Sequence, residues 1–255
     1  ERMDLMQKLD YKRFYAEAIA QGKVRYPGFS FHDDAKAFLR ILHDWDQWGM
    51  CQVQMNILDD ENQATLEGIR EAGRRGVGVV VMEPLRGGLL ANPPVDVKAV
   101  YDAYAVRRSP VEWGFRYLYA MPEVITILSG MSTWAQVTDN LRIFDMAKRP
   151  TLTDEELALY QKVKATYLAR TKTRCTGCKY CQPCPMGVQI PRIFQGYDAA
   201  MLRADSSFKA GYAQIQADHA DASQCIHCRK CERVCPQHLP ITRFLEEIHA
   251  ASAAE

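Results

Sequence analysis

Eight of the nine cysteines in this 255-residue chain fall in two short runs. The first, Cys175-Thr-Gly-Cys178-Lys-Tyr-Cys181-Gln-Pro-Cys184, leaves two residues between each pair of neighbours; the second, Cys225, Cys228, Cys231 and Cys235, leaves two, two and three. Thiolates are soft, charged ligands, and two-residue spacers let one turn of loop wrap three of them around a single centre. The chemistry this spacing supports is metal ligation. Secreted disulfide frameworks spread their cysteines along the chain instead, and zinc's usual arrangement is two CxxC pairs separated by a longer loop. Bunched thiols suit a reducing compartment, and the expected location is the cytoplasm.

Successive two-residue steps closed by Cys-Pro match the bacterial ferredoxin pattern for 4Fe–4S clusters, and the closing proline occurs in both copies, as Pro185 and Pro236. In two-cluster ferredoxins the fourth cysteine of each run ligates the other cluster. Carried over, the resemblance implies two 4Fe–4S clusters, one on Cys175, Cys178, Cys181 and Cys235, the other on Cys225, Cys228, Cys231 and Cys184. The one-residue mismatch between the runs then predicts two unequal sites. The spacer between them resembles α-helical ferredoxin domains more than the compact β-containing type. Lys172, Arg174, Lys179, Arg229, Lys230 and Arg233 surround the cysteines, against one acid, Glu232. Such a group can be a plain solvated face. As a functional feature it favours the reduced, more negative cluster and steers an acidic redox partner such as a ferredoxin or flavoprotein. His32, His227 and His238 read as surface or spacer residues.

The elements upstream alternate strand and helix. Asp4 to Gln21 reads as one helix with Leu5, Leu9, Phe14, Ala18 and Ile19 on a common side and Gly22 as its stop. Val24 to Phe29 is a short strand weakened by Pro27, which cannot donate to a ladder. A helix over 34–43, the strand Cys51 to Ile57, a helix over 61–75 and the dense apolar strand Gly78 to Met82 follow. Ser109-Pro-Val-Glu112 opens a helix with a cap, a first-position proline and an acid three residues on. Val124 to Leu128 is a strand, Ser132-Thr-Trp opens a helix through Asn140, and Thr153-Asp-Glu-Glu156 opens the last, to about Ala169. Four strands separated by helices predict an α/β fold with a parallel sheet. Four strands cannot close a barrel, so residues 1–170 form a small open domain or half of something larger. Residues 171–255 read as a second, mostly helical domain, poor in large apolar residues and dependent on its clusters for stability.

A formal net charge of +1 gives no sign of nucleic acid or membrane as a partner. No apolar run approaches the length of a bilayer span, and no basic-then-apolar leader is present. Glu1 in place of Met suggests a reading frame that starts upstream.

Gly22-Lys-Val-Arg-Tyr-Pro-Gly-Phe-Ser30-Phe-His32, Cys51-Gln-Val-Gln, Met82-Glu-Pro-Leu-Arg-Gly-Gly88 and Leu128-Ser-Gly-Met-Ser-Thr-Trp-Ala-Gln-Val-Thr-Asp-Asn140, taken in order, resemble the aldo/keto reductase family. With the cysteine tail they look most like its branch carrying a C-terminal 4Fe–4S ferredoxin-type domain. The resemblance implies a (β/α)8 barrel of which this chain holds the C-terminal half, strands five to eight, followed by the ferredoxin-like domain. It further implies NAD(H) or NADP(H) as cofactor and a small carbonyl or alcohol as substrate. Active sites of such barrels lie at the carboxyl ends of the strands. By resemblance, Ser30 and Gln52 hold the nicotinamide carboxamide, and Met82 stands where many relatives stack a tyrosine on the ring. Pro84, Leu85, Arg86 and Gly87 form the loop near the pyrophosphate, and Gly130, Ser132, Gln136 and Asn140 line the adenosine end. Many NADPH-using relatives place Lys and Arg where this chain has Gly130 and Gln136, which removes the usual grip on a 2′-phosphate. The family's Asp, Tyr, Lys and His tetrad belongs to the barrel half whose motifs are absent, so no catalytic residue is assigned.

Each of these residues also has a structural role open to it: Ser30 as a turn residue, Met82 and Cys51 as core packing, Gly87-Gly88 as a simple loop. Two functions follow. One is an oxidoreductase coupling nicotinamide-dependent carbonyl chemistry to iron–sulfur electron transfer. The other is an electron-transfer or interaction module whose half barrel is a docking scaffold. Strand edges near Val24 and Val124 predict completion by an N-terminal segment of about 120 residues or by a second copy of the chain.

Overall fold

The computed structural model describes residues 2–145, 148–175, 177–235 and 237–253, so Pro236 lies outside the described residues. Two compact units are present, one formed by Glu1–Asn92 and Tyr101–Tyr160, the other by Pro93–Val100 and Gln161–Glu255. The order of elements is α1 (Arg2–Lys8), α2 (Tyr11–Ala20), β1 (Gly28–Ser30), α3 (Ala35–Asp44), β2 (Met50–Gln54), α4 (Thr65–Arg74), β3 (Gly78–Met82), α5 (Val95–Asp102), α6 (Pro110–Tyr119), β4 (Val124–Ile127), α7 (Trp134–Phe144) and α8 (Asp154–Arg170). Helices α5 and α8 each cross the division between the units.

In the first unit the four strands form one parallel sheet in the order β1-β2-β3-β4. Side chains alternate between faces along a strand, and in-register neighbours share a face. Cys51, Val53, Val79 and Val81 are completely buried, and helices α4 and α6 pack on β3 and β4. Gln52 and Gln54 point the other way and are only half-buried. The sheet therefore has a dry side and a polar side.

Capping chemistry places the helices where the sequence predicts them. Asp34 accepts from the Ala37 N–H at 2.8 Å to start α3, and Ser109 accepts from the Glu112 N–H at 3.1 Å to start α6. Thr153 and Glu156 cap each other's backbone reciprocally at the start of α8, at 3.2 and 3.3 Å.

Three expectations change. The single helix over 4–21 is two, because Asp10 adopts a left-handed conformation (φ 52°) that resets the helical phase. Leu5, Leu9 and Phe14 are consequently exposed, while Tyr11 is buried, stacked on Trp48 at 5.6 Å with its hydroxyl donating to Asp44 at 2.6 Å. The first strand starts only beyond Pro27, at Gly28. Helix α5 was not foreseen at all.

The second unit continues with α9 (Ile190–Arg203), α10 (Ser207–Ala217), a 3-10 turn at Ala222–Gln224, α11 (Lys230–Arg233) and α12 (Ile241–Ala253). It has a hydrophobic core of its own, which includes Ile193, Phe194, Tyr212, Ile215, Leu245 and Ile248. The expectation of a domain short of apolar residues is thus corrected: the residues are spaced along three helices rather than gathered in runs. Among the described residues no helix is long and apolar enough to cross a membrane.

Cys51 packs in the sheet interior, and burial pushes its thiol up to about 12. Iodoacetamide applied to the folded, metal-free chain at about pH 8 is expected to label the exposed Cys178 and Cys228 and to spare Cys51, as read by peptide mass mapping. Equal labelling of Cys51 would contradict this packing.

Candidate functional site

Ser30 pairs with Gln52, Gln52 with Val80, and Gln54 with Met82 across β1, β2 and β3. Ser30, Gln52 and Met82 thereby share the polar face of the sheet, and the Gln52 Nε2 amide donates to the Met82 Sδ at 3.7 Å. From Met82 the chain enters a cavity of about 700 Å³ at the carboxyl ends of β3 and β4. Of the predicted nucleotide residues, Met82, Pro84, Leu85 and Gly87 line it from one side and Gly130, Gln136 and Asn140 from the other. Ser30, Gln52, Arg86 and Ser132 do not line it.

The loop after β3 bends through left-handed residues at Glu83 (φ 55°), Arg86 (49°), Gly87 (61°) and Gly88 (91°). A polar knot that sequence reasoning missed holds it in place. The fully buried Asn56 donates to the Glu83 carbonyl at 3.0 Å and to Asp59 Oδ2 at 2.8 Å. Asp59 also accepts from Gln54 at 2.9 Å and lies 3.5 Å from the Arg86 guanidinium. Arg86 is therefore tied back toward β2. Glu83 and Asp139 are the charged residues lining the cavity, and among the described residues no lysine or arginine does so.

Helix α7 begins with a capping box. The Gln136 Oε1 accepts from the Ser132 N–H at 2.8 Å and the Thr133 N–H at 3.1 Å, and Thr133 Oγ1 accepts from the Gln136 N–H at 3.3 Å. Asn140 donates to Ser129 Oγ at 2.8 Å. Three amides at this N-terminus, those of Ser132, Thr133 and Gln136, are thus already engaged within the capping box.

In the second unit the thiols sort into two cavities. Cys175, Cys178, Cys181 and Cys235 line one; Cys184, Cys225, Cys228 and Cys231 line the other, with Cys181 at its wall as well. None is in a disulfide. Among the described residues no three His, Cys, Asp or Glu groups converge for a single ion. Four thiols to a site form a donor set that fits a four-iron cluster. Burial raises the Cys175 and Cys225 thiols and holds Cys181 and Cys231 up at about 11, so proton release must accompany metal binding.

The runs are structural repeats. Gly177 (φ 71°) corresponds to His227 (56°) and Lys179 (65°) to Arg229 (55°); after the fourth cysteines Gly187 (73°) corresponds to His238 (51°). The left-handed turns thus recur at matching places between the cysteines of both copies. At Gly177 the left-handed backbone itself favours glycine, since an added Cβ would meet only the movable end of the exposed Gln195 side chain. The copies part at the mismatch: the second carries Cys231 on the helical turn α11, whereas the first passes from Cys181 to Cys184 without a helix.

Asp198 on α9 fastens the approach to Cys175. Its buried carboxylate accepts from the N–H groups of Lys172 (2.9 Å), Thr173 (3.1 Å) and Arg174 (2.7 Å) and from the Thr173 hydroxyl (2.8 Å). Thr173 Oγ1 in turn accepts from the Cys175 N–H at 3.2 Å. Asp221 plays the related part before Cys225, capping the 3-10 turn through the Ser223 N–H at 2.9 Å.

Comparison with known proteins adds the following. The sequence model described as "Aldo/keto reductase family" matches residues 9–165, and that described as "4Fe-4S dicluster domain" matches residues 174–239. The holo and apo structures of the aldo-keto reductase AKR11C1 from Bacillus halodurans are each 26% identical to the chain with a TM-score of 0.48, over 58% of this chain and 53% and 54% of theirs. A thermostable aldo-keto reductase solved with the inhibitor epalrestat is 24% identical with a TM-score of 0.46, over 58% of this chain and 52% of its own. The chain spans about half the length of these solved structures. No curated protein sequence matches it.

Asp198→Ala strands three backbone donors and a hydroxyl in a buried site, and is expected to cost about 2–4 kcal/mol. Asp198→Asn, which keeps an acceptor, is expected to cost less. All four tryptophans lie in the first unit. Loss of helical circular dichroism at lower denaturant than the tryptophan transition will therefore report the second unit alone; coincident, unshifted transitions would count against this role.

Proposed function

The chain belongs to the aldo/keto reductase family and carries a 4Fe–4S dicluster domain behind that region. From that premise we propose that the first unit is the C-terminal half of a (β/α)8 barrel, strands five to eight, that holds a nicotinamide nucleotide for hydride exchange with a small carbonyl or alcohol. The observation that carries this reading is the common polar face bearing Ser30, Gln52 and Met82, the last of which also lines the cavity between the β3 and β4 loops. Helix-covered on one side and polar on the other, the sheet suits a barrel wall whose polar side looks inward.

In this reading Ser30 and Gln52 orient the carboxamide, and Met82 supplies an adaptable apolar surface against the ring. Gln136 meets the adenosine end with an amide in place of a cation. With Glu83 and Asp139 as the charged lining residues, an extra 2′-phosphate is disfavoured, so NADH is the preferred form. No residue of this set is a general acid or base. Proton transfer falls to the other barrel half, supplied by a preceding segment or a different chain at the open edges of β1 and β4.

For the second unit we propose two clusters, one on Cys175, Cys178, Cys181 and Cys235 and one on Cys184, Cys225, Cys228 and Cys231. The grouping of thiols by cavity supports the exchange of fourth ligands. Clusters bound there supply one-electron storage, and a cytoplasmic, reducing setting suits them.

Calorimetric titration of the iron- and sulfide-loaded chain is expected to give tighter binding for NADH than for NADPH. Gly130→Lys with Gln136→Arg should shift that ratio toward NADPH by about tenfold, equivalent to about 1.4 kcal/mol. Cluster redox activity with neither nucleotide bound would favour the docking-scaffold alternative. A redox titration followed by electron paramagnetic resonance is expected to resolve two midpoint potentials, and a single one would overturn the inequality of the sites.

A further inference from the structure

The two cysteine sites differ in what surrounds them. Around Cys175, Cys178, Cys181 and Cys235 the apolar walls are mostly core residues: Ile190, Pro191, Phe194 and Ile241 are buried, while Tyr180 and Cys178 are exposed. Around Cys184, Cys225, Cys228 and Cys231 buried Val188, Ile190 and Leu245 form part of the wall, and a further set of apolar side chains faces solvent. Tyr180 is 69% exposed, Ile226 60%, Val234 53% and Met186 41%, and Cys228 itself is exposed. Unpartnered apolar side chains gathered over one site need a reason that core packing does not supply.

The rim of this patch is basic. Lys179, Arg229, Lys230 and Arg233 are all exposed. Among the described residues Lys179, Lys230 and Arg233 have no carboxylate partner. Arg229 lies 4.0 Å from Glu232, whose carboxylate is already engaged by the N–H (2.9 Å) and hydroxyl (2.7 Å) of Thr242. The other acid nearby, Glu246, sits 3.5 Å from His227. The chain's net charge is only +1, so this concentration of cations is local.

We propose that this face docks an acidic one-electron carrier protein, and that the Cys184, Cys225, Cys228 and Cys231 site is where electrons enter the chain. An apolar centre inside a charged rim is the anatomy of a transient protein interface: the rim steers encounter, and the centre holds the complex while one electron crosses. In the step the reduced carrier loses one electron and the site beneath Cys228 gains it; no bond forms or breaks and no proton moves. Each site has one exposed cysteine, Cys178 or Cys228, but exposed Met186, Ile226 and Val234 line only the cavity of the second, which favours this site as the point of entry. The inference rests on the cluster reading above and adds the face, the partner's charge and the order in which the sites fill.

The test uses the full chain loaded with iron and sulfide, and a reduced plant-type ferredoxin as the acidic probe. Stopped-flow reduction is expected to be second order and to slow as salt rises. Lys179→Glu, Lys230→Glu and Arg233→Glu combined should lower the rate constant at least tenfold and flatten its salt dependence. Ile226→Ser with Val234→Ser should lower the rate while leaving the salt slope intact. Unchanged rates in both variants, at wild-type iron and sulfide content, would overturn the docking face alone. Salt-sensitive capture by anionic phospholipid vesicles, with no salt effect on ferredoxin reduction, would also overturn it in favour of a lipid surface. Failure of the wild-type chain to hold iron and sulfide would instead remove the cluster reading on which it rests.

Discussion

Parallel pairing in register is the constraint from which the chemistry of the first unit follows. One face of the sheet must be dry because helices cover it, and Cys51, Val53, Val79 and Val81 meet that demand. A slip of one residue would send them into the open and put Gln52 and Gln54 against the helices, so burial fixes the register. Once it is fixed, Ser30, Gln52 and Met82 have no choice but to share the opposite face. The polar knot of Asn56, Asp59 and Arg86 then sets where the chain leaves that face and forms the cavity wall. The site is positioned by the core, although none of its residues belongs to the core.

In the second unit the corresponding constraint is backbone conformation near the thiols. Four thiolates reach one centre only if the chain between them turns back sharply, and the left-handed residues of both runs provide that turn. Where the first run uses glycine, the second places His227 and His238 in the same region, at a cost of about 1–2 kcal/mol each. The helices behind them offset such strain: Cys175, Cys181, Cys184, Cys225, Cys231 and Cys235 all pack on a shared apolar core. Metal binding therefore completes a scaffold that already has a core, and need not create one.

Much of this was legible in the sequence because it is local. Gly78 to Met82 announces a strand by its own composition, Ser109 and Thr153 announce helices by capping, and the cysteine spacing announces clusters. The lost parts are those decided by distant residues. A left-handed Asp10 leaves no mark in a pattern that reads as one amphipathic helix, yet it exposes Leu5, Leu9 and Phe14. Asp198 sits in a polar helical spacer with no motif around it, 24 positions from the Arg174 amide it receives. Asn56 falls inside the strand read over Cys51 to Ile57, which in the structure ends at Gln54, and Asp59 follows it; the value of both lies in reaching Glu83 and Arg86 on the next loop. Side chains that act on backbone groups far along the chain have no periodicity to betray them.

Electron counting sets the last condition on the proposed function. A hydride carries two electrons in one step, whereas each cluster site exchanges one. Two sites together balance one hydride, which gives the duplicated run a stoichiometric sense. Balance alone does not couple them, because the pair must be split somewhere between nucleotide and thiolates. Ser30, Gln52, Met82 and Gln136 can orient and shield a nucleotide, but none of them can hold an unpaired electron. The splitting chemistry therefore belongs with what completes the barrel or with what docks over Cys228. Under the proposed reading, two unequal sites would suit the second arrangement, the one beneath Ile226 and Val234 exchanging single electrons with a carrier and the more enclosed one storing the first.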